Sequence, residues 1–67
     1  MLIGHLWEGD IVFSVEEMWY GGITIMPRTP GIVVLIANHD DVFVQFEIGR
    51  TRVSSPLLCH PGHLQPF

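Results

Sequence analysis

The residue types best suited to chemistry in this chain stand together in the run Cys59-His60-Pro61-Gly62-His63. A thiolate and two imidazoles are ligands for zinc or copper, so Cys59, His60 and His63 form a candidate metal cluster. A structural zinc site calls for four ligands, and His5 or His39 would have to complete it. Nothing in the spacing brings either one near, so the segment reads more simply as a polar tail around a Pro-Gly turn. As nucleophile and base, Cys59 and His60 are badly arranged, because adjacent residues on an extended chain point to opposite sides. A half-buried cysteine packing after Leu58 accounts for Cys59 without chemistry.

Two further clusters deserve the same test. Glu16-Glu17 supplies the carboxylates of an acid/base pair, but neighbouring carboxylates in a loop stay solvated. Gly21-Gly22 lacks the further glycine and the lysine that a phosphate cradle needs. No residue set therefore points to catalysis, and no cofactor is implied. Met18-Trp19-Tyr20 points elsewhere: two large aromatics beside glycines make rigid, amphipathic contact surface of the kind enriched at interfaces. With Trp7 and Phe43 they would form an exposed apolar patch; the alternative is that Trp19 folds back as a lid on a small core.

The chain that must position these residues has 67 of them and is read as one domain, 1–67, with its core over 8–58 and 59–67 as a tail or short final strand. At this size only about 60% of the unfolded chain's surface is buried on folding. One cysteine rules out an internal disulfide framework. With 48% hydrophobic and only 15% charged residues, self-association is the supplement that the composition favours. The net charge of −4, with three arginines and no lysine, argues against a phosphate backbone as partner. A nucleic-acid-binding barrel would have to rely on Arg28, Arg50 and Arg52. The first residues lack a basic region ahead of Gly9-Asp10, and no apolar run approaches the roughly 20 residues of a membrane helix. A cytoplasmic protein without membrane contact is expected, and one unpaired cysteine suits a reducing compartment.

Along the chain, Ile11, Phe13 and Val15 alternate with Val12 and Ser14, which predicts a strand after the Gly9-Asp10 turn. Residues 16–22 read as a long irregular loop, followed by a short extended piece at 23–26 that Pro27 and Pro30 close. Gly31 to Ala37 is β-branched and apolar, and Asn38-His39-Asp40-Asp41 is a turn. Val42, Val44 and Phe46 are expected in the core, with Phe43, Gln45 and Glu47 on the opposite face. Beyond a Gly49 turn, residues 50–55 predict a fourth strand with Thr51 and Val53 inward and Arg50, Arg52 and Ser54 outward. A 3₁₀ turn is expected near 55–58. The expected fold is all-β: a small SH3-like barrel of four or five short antiparallel strands with a long irregular loop.

The order Gly9-Asp10, strand, long loop, Gly31-Ile32-Val33-Val34, turn, Val42 to Phe46, Gly49 turn, Val53 and Leu57-Leu58 resembles the SH3-like small barrels, including those of KOW type. The resemblance covers roughly residues 8–58 and implies a fold that hosts many functions. Within that fold there is a distant similarity to the type II dihydrofolate reductases of plasmids and integrons, small chains that pool several SH3-like barrels around one active pore. Their pore segment is Val-Gln-Ile-Tyr; the nearest string here is Val44-Gln45-Phe46-Glu47, with an acidic residue at the tyrosine position. What the similarity implies is a manner of building a site, by pooling surfaces between chains.

Gly31 to Ala37 is bulky and apolar on both faces, and a barrel this small encloses one of them. With Ile32, Val34 and Ile36 inside, Val33, Leu35 and Ala37 point outward, and Phe43 on the adjoining strand points the same way. The outward set is expected to meet a second copy, unless 2–7 or the tail ending in Leu64 and Phe67 folds across it. These readings converge on a non-enzymatic protein-association module, homo-oligomeric or bound to another protein, with Trp19, Tyr20, Val33, Leu35 and Phe43 as contact residues. The alternative is an oligomeric small-molecule binder or enzyme whose pocket, pooled between subunits, is lined by Trp19, Tyr20, Gln45 and Arg50.

Overall fold

The computed structural model describes residues 6–67 and is all-β apart from one 3₁₀ turn. Seven strands follow in chain order: β1 Ile11–Ser14, β2 Met18–Tyr20, β3 Ile23–Ile25, β4 Pro30–Ile36, β5 Val42–Phe46, β6 Leu57–Cys59 and β7 Leu64–Pro66. Five form one antiparallel sheet in the order β6-β5-β4-β1-β7, and β2 pairs with β3 as a separate hairpin. Among the described residues no ladder joins β6 to β7. The sheet is therefore open, where the turn spacing suggested a barrel.

The hairpin covers the inner face of the sheet. Val12, Val33, Val42, Val44 and Phe46 are fully buried there, joined by Met18 and Ile25 from the hairpin and by Cys59 and Leu64. The expected inward set Val42, Val44 and Phe46 holds. Gly31 stands across from Phe46, and a Cβ at this glycine would lie 2.7 Å from Val44 Cγ1 and 2.9 Å from the Gln45 carbonyl oxygen. Bare backbone at Gly31 is what lets the Phe46 ring close against the sheet.

Strand β4 corrects the expected facing. Val33 is fully buried, whereas Ile32 and Val34 are exposed. The cause is a β-bulge: Val33 pairs with Val44 and Leu35 with Phe43, leaving Val34 without a partner between them. One extra residue shifts the alternation, so Val33 points in while Leu35 still points out.

The extended piece expected at 23–26 is β3, but Met18–Tyr20, expected within an irregular loop, is a strand paired with it. Met18 pairs with Ile25, Trp19 with Thr24 and Tyr20 with Ile23 around a two-residue turn in which Gly21 has a φ of +60°. A positive φ at the first turn position suits a tight hairpin and glycine supplies it without strain.

Residues 50–55 form no strand beyond a single bridge between Glu47 and Val53. Arg50 and Arg52 are exposed as expected, but Thr51 and Val53, expected inward, are exposed too, and Ser54, expected outward, is buried. Ser54 turns inward because its amide donates to the Phe46 carbonyl (2.8 Å) and its hydroxyl accepts from the Phe46 amide (3.1 Å), continuing the pairing that β5 has lost.

The 3₁₀ turn lies at Pro61–His63, and Leu57 and Leu58, expected in such a turn, belong to β6. Proline suits the first position of the turn, and His60 Nδ1 accepts the Gly62 amide at 2.9 Å. The segment after it forms β7, which pairs with β1 through Val12 to Pro66 and Ser14 to Leu64. It widens the sheet as an edge strand, and only Phe67 after it reaches the outer face, beside Phe13.

Candidate interaction surface

Cross-strand partners in an antiparallel sheet share a face, so the register assigns the outward residues directly. Leu58, Phe43 and Leu35 form one row across β6, β5 and β4. Gln45, Ile32 and Ile11 form a second across β5, β4 and β1. Ile11, Ile32, Leu35 and Leu58 are each 46–49% exposed, large apolar side chains held half in water by the backbone behind them. Val34, set out by the bulge, and Val53, beyond the end of β5, extend the patch. Phe13 faces the same way but is covered in part by Phe67, ring centroids 5.9 Å apart.

Outward positions of β1, β4, β5 and β6 carry no charge, and Gln45 is the one polar side chain among them. A shallow groove of about 140 Å³ lies beside it, between Ile11, Ile32, Glu47 and Val53. Gln45 is half-buried, and its amide makes no hydrogen bond to a described residue. Edges of sheets are usually blunted by charge; here the outward strand positions carry none, and the nearest carboxylate is Glu47, beyond the end of β5 at the rim of this groove.

Of the expected contact residues, Leu35 and Phe43 stand together on this face as cross-strand partners. Val33 does not belong to it, being core. Trp19 and Tyr20 lie on the hairpin. Trp19 is 77% exposed, so it is no lid, and its Nε1 donates to Glu17 Oε2 at 2.6 Å. It borders an open cleft of about 540 Å³ together with Glu16, Asp40, Leu58 and His60. Tyr20 turns toward β6: its hydroxyl donates to the Leu58 carbonyl at 2.8 Å and meets Cys59 Sγ at 3.2 Å. Trp19, Tyr20, Gln45 and Arg50 are not gathered into one pocket within a chain, since Gln45 is on the outer sheet face and Arg50 is in the exposed turn after β5.

The His60 and His63 rings lie 5.8 Å apart on the cleft that Cys59 also borders. Cys59 is buried, and burial raises its thiol pKa while the Tyr20 hydrogen bond pulls it partly back; burial also raises the Tyr20 phenol, as does its bond to Cys59. Both are held neutral, the opposite of what a nucleophile needs. His60 Nε2 lies 3.6 Å from Asp40, and His63 Nε2 3.5 Å from Glu16. Glu16 and Glu17 thus serve different partners. Among the described residues no group of three His, Cys, Asp or Glu is placed to hold a metal ion. His5 lies outside the described residues, and His39 is exposed in the 38–41 turn.

Sequence reasoning missed Ile11, Ile32 and Leu58. Ile32 was hidden by the bulge, and the β1 alternation is ambiguous because its inward residue beside Val12 is a serine. No helix among the described residues is long and apolar enough to cross a membrane. With this geometry in place, the chain was compared with known proteins: no family model, no curated protein and no solved structure matches it.

Proposed function

We propose that this protein is a non-enzymatic association module that pairs with a second copy of itself through the outer face of the five-stranded sheet. The observation that carries the reading is the uncharged apolar face built by the Leu35–Phe43–Leu58 and Ile11–Ile32 rows. Half-exposed side chains of this size keep on the order of 100 Å² each in water, so the patch presents about 600 Å², at the upper end of what monomers leave exposed. A standard interface takes about 800 Å² per partner, so the patch supplies the larger part of one. Open sheets cover such a face by stacking on a second sheet. The tail that could have lain over it is spent as an edge strand. Trp19, exposed on the hairpin, is a second contact residue outside that face.

Light scattering behind size exclusion, run over a concentration series, tests this. A mass near twice 7.6 kDa is expected, falling on dilution. A mass that stays at 7.6 kDa at every concentration removes the proposal.

A further inference from the structure

We propose that the depression beside Phe13 and Phe67, at the β1–β7 end of the outer face, binds small aromatic carboxylates, with Arg28 as the residue that holds the anion. The depression has a volume of about 340 Å³ and is lined by Phe13, Arg28, Gln65, Pro66 and Phe67, which is at the lower end of the range for small-molecule sites. Phe13 and Gln65 are cross-strand partners and so share this face, and the Phe67 ring is tilted by 34° to that of Phe13 with centroids 5.9 Å apart. Arg28 is the one cation lining it, and among the described residues its guanidinium has neither an ion pair nor a hydrogen bond. Asp10 lines the adjoining depression, which shares Pro66 and Phe67, but its carboxylate is engaged by the Trp7 amide at 2.9 Å.

Arg28 is also the one non-glycine residue with a positive φ among the described residues, at +65°. Glycine takes that conformation without cost, whereas arginine does not. The turn holds it there: the Arg28 amide donates to the Ser14 carbonyl at 2.7 Å, the Thr29 amide to the Ser14 hydroxyl at 2.9 Å, and the Thr29 hydroxyl to the Met26 carbonyl at 2.6 Å. The root of the side chain is thereby fixed beside two phenyl rings. A guanidinium fork matches both oxygens of a carboxylate, the Gln65 amide is a further donor, and an aromatic body packs against Phe13 and Phe67. An anion without that body would gain only an exposed ion pair, which is worth little in water. The site lies away from Leu35, Phe43 and Leu58 along the sheet, so it does not depend on the self-association proposed above.

Titration of the isotope-labelled chain with phenylacetate at neutral pH, followed by amide chemical shifts, is the test, with phenylacetamide as the uncharged match. Saturable shifts are expected at Phe13, Arg28, Gln65 and Phe67, with a dissociation constant on the order of 1 mM and binding of the amide weaker by about tenfold. Arg28→Gly suits the backbone of the turn and is expected to weaken phenylacetate about tenfold with the urea midpoint kept; Arg28→Asn, which also tolerates a positive φ, repeats the test with a side chain in place. Equal binding of phenylacetate and phenylacetamide, or undiminished binding by both variants, overturns the role of Arg28. No shifts at these residues up to about ten times the expected constant overturns the site.

Discussion

Val33 and Leu35 are two residues apart in one strand, yet Val33 pairs with Val44 in the core and Leu35 pairs with Phe43 on the outer face. A regular strand would put both on the same side; the unpaired Val34 between them separates their fates.

Opposite responses to mutation follow. Val33→Ala removes buried methyl groups and is expected to lose roughly 2 kcal/mol of unfolding free energy. Leu35→Glu is expected to leave unfolding within about 0.5 kcal/mol of the unaltered single chain while abolishing the dimer, since a lone carboxylate cannot be buried without a partner. Urea titration below the dimer dissociation constant separates the two. Unfolding by Leu35→Glu would place Leu35 in the core and contradict the bulge.

Gly31 carries a steric prediction. Gly31→Ala puts a methyl group 2.7 Å from Val44 Cγ1 and 2.9 Å from backbone oxygen, and the backbone has little room to give. A loss of about 1–3 kcal/mol is expected from overpacking. Gly22→Ala, where nothing lies within 4 Å, is the control and should stay within about 1 kcal/mol.

Ser14 is buried in the core wall and ties down the chain after β3: its hydroxyl donates to the Met26 carbonyl at 2.7 Å and accepts the Thr29 amide at 2.9 Å. Ser14→Ala strips the Thr29 amide of its acceptor and leaves the Met26 carbonyl with the Thr29 hydroxyl alone (2.6 Å), for a loss of about 1–3 kcal/mol. Amide hydrogen exchange should quicken first at Thr29. Unchanged exchange there would mean that the 26–29 turn is held by other contacts.

The Tyr20–Cys59 contact sets a pH dependence. Both groups have folded pKa values raised above their unfolded ones, so their contribution is complete below the unfolded pKa and is lost as pH rises. The urea midpoint is expected to fall above about pH 8.5, where an unfolded cysteine ionises, and more steeply above about pH 10, where an unfolded tyrosine does. Cys59→Ala should flatten the first part of the fall and leave the second. A midpoint level between pH 8 and 11 would show that neither group ionises more readily on unfolding.

Much of the fold was legible in particular residues. The period-2 pattern of Val42 to Phe46 placed three side chains in the core, and Asn38 to Asp41 announced a turn, which closes with Asn38 Nδ2 donating to Asp41 at 2.8 Å. The Gly-Gly pair at 21–22 was also a hairpin signal, since Met18, Tyr20, Ile23 and Ile25 flank it at strand spacing. It was obscured by the carboxylates and tryptophan beside it. Of the candidate surface, Leu35 and Phe43 were readable, and Ile32 and Leu58 were not.

The sequence by itself determined that this is a small β protein with more apolar strand residues than one enclosed face can take. That follows from composition and period, which act locally. Which residues form the surplus was decided only in the tertiary structure. A bulge has no composition signal of its own in a run of Ile, Val and Leu, because any of them packs equally well on either face. Likewise Ser14 and Ser54 lie inside because distant or neighbouring backbone groups satisfy their hydroxyls, and hydrogen-bond partners of that kind exist only once the chain has folded.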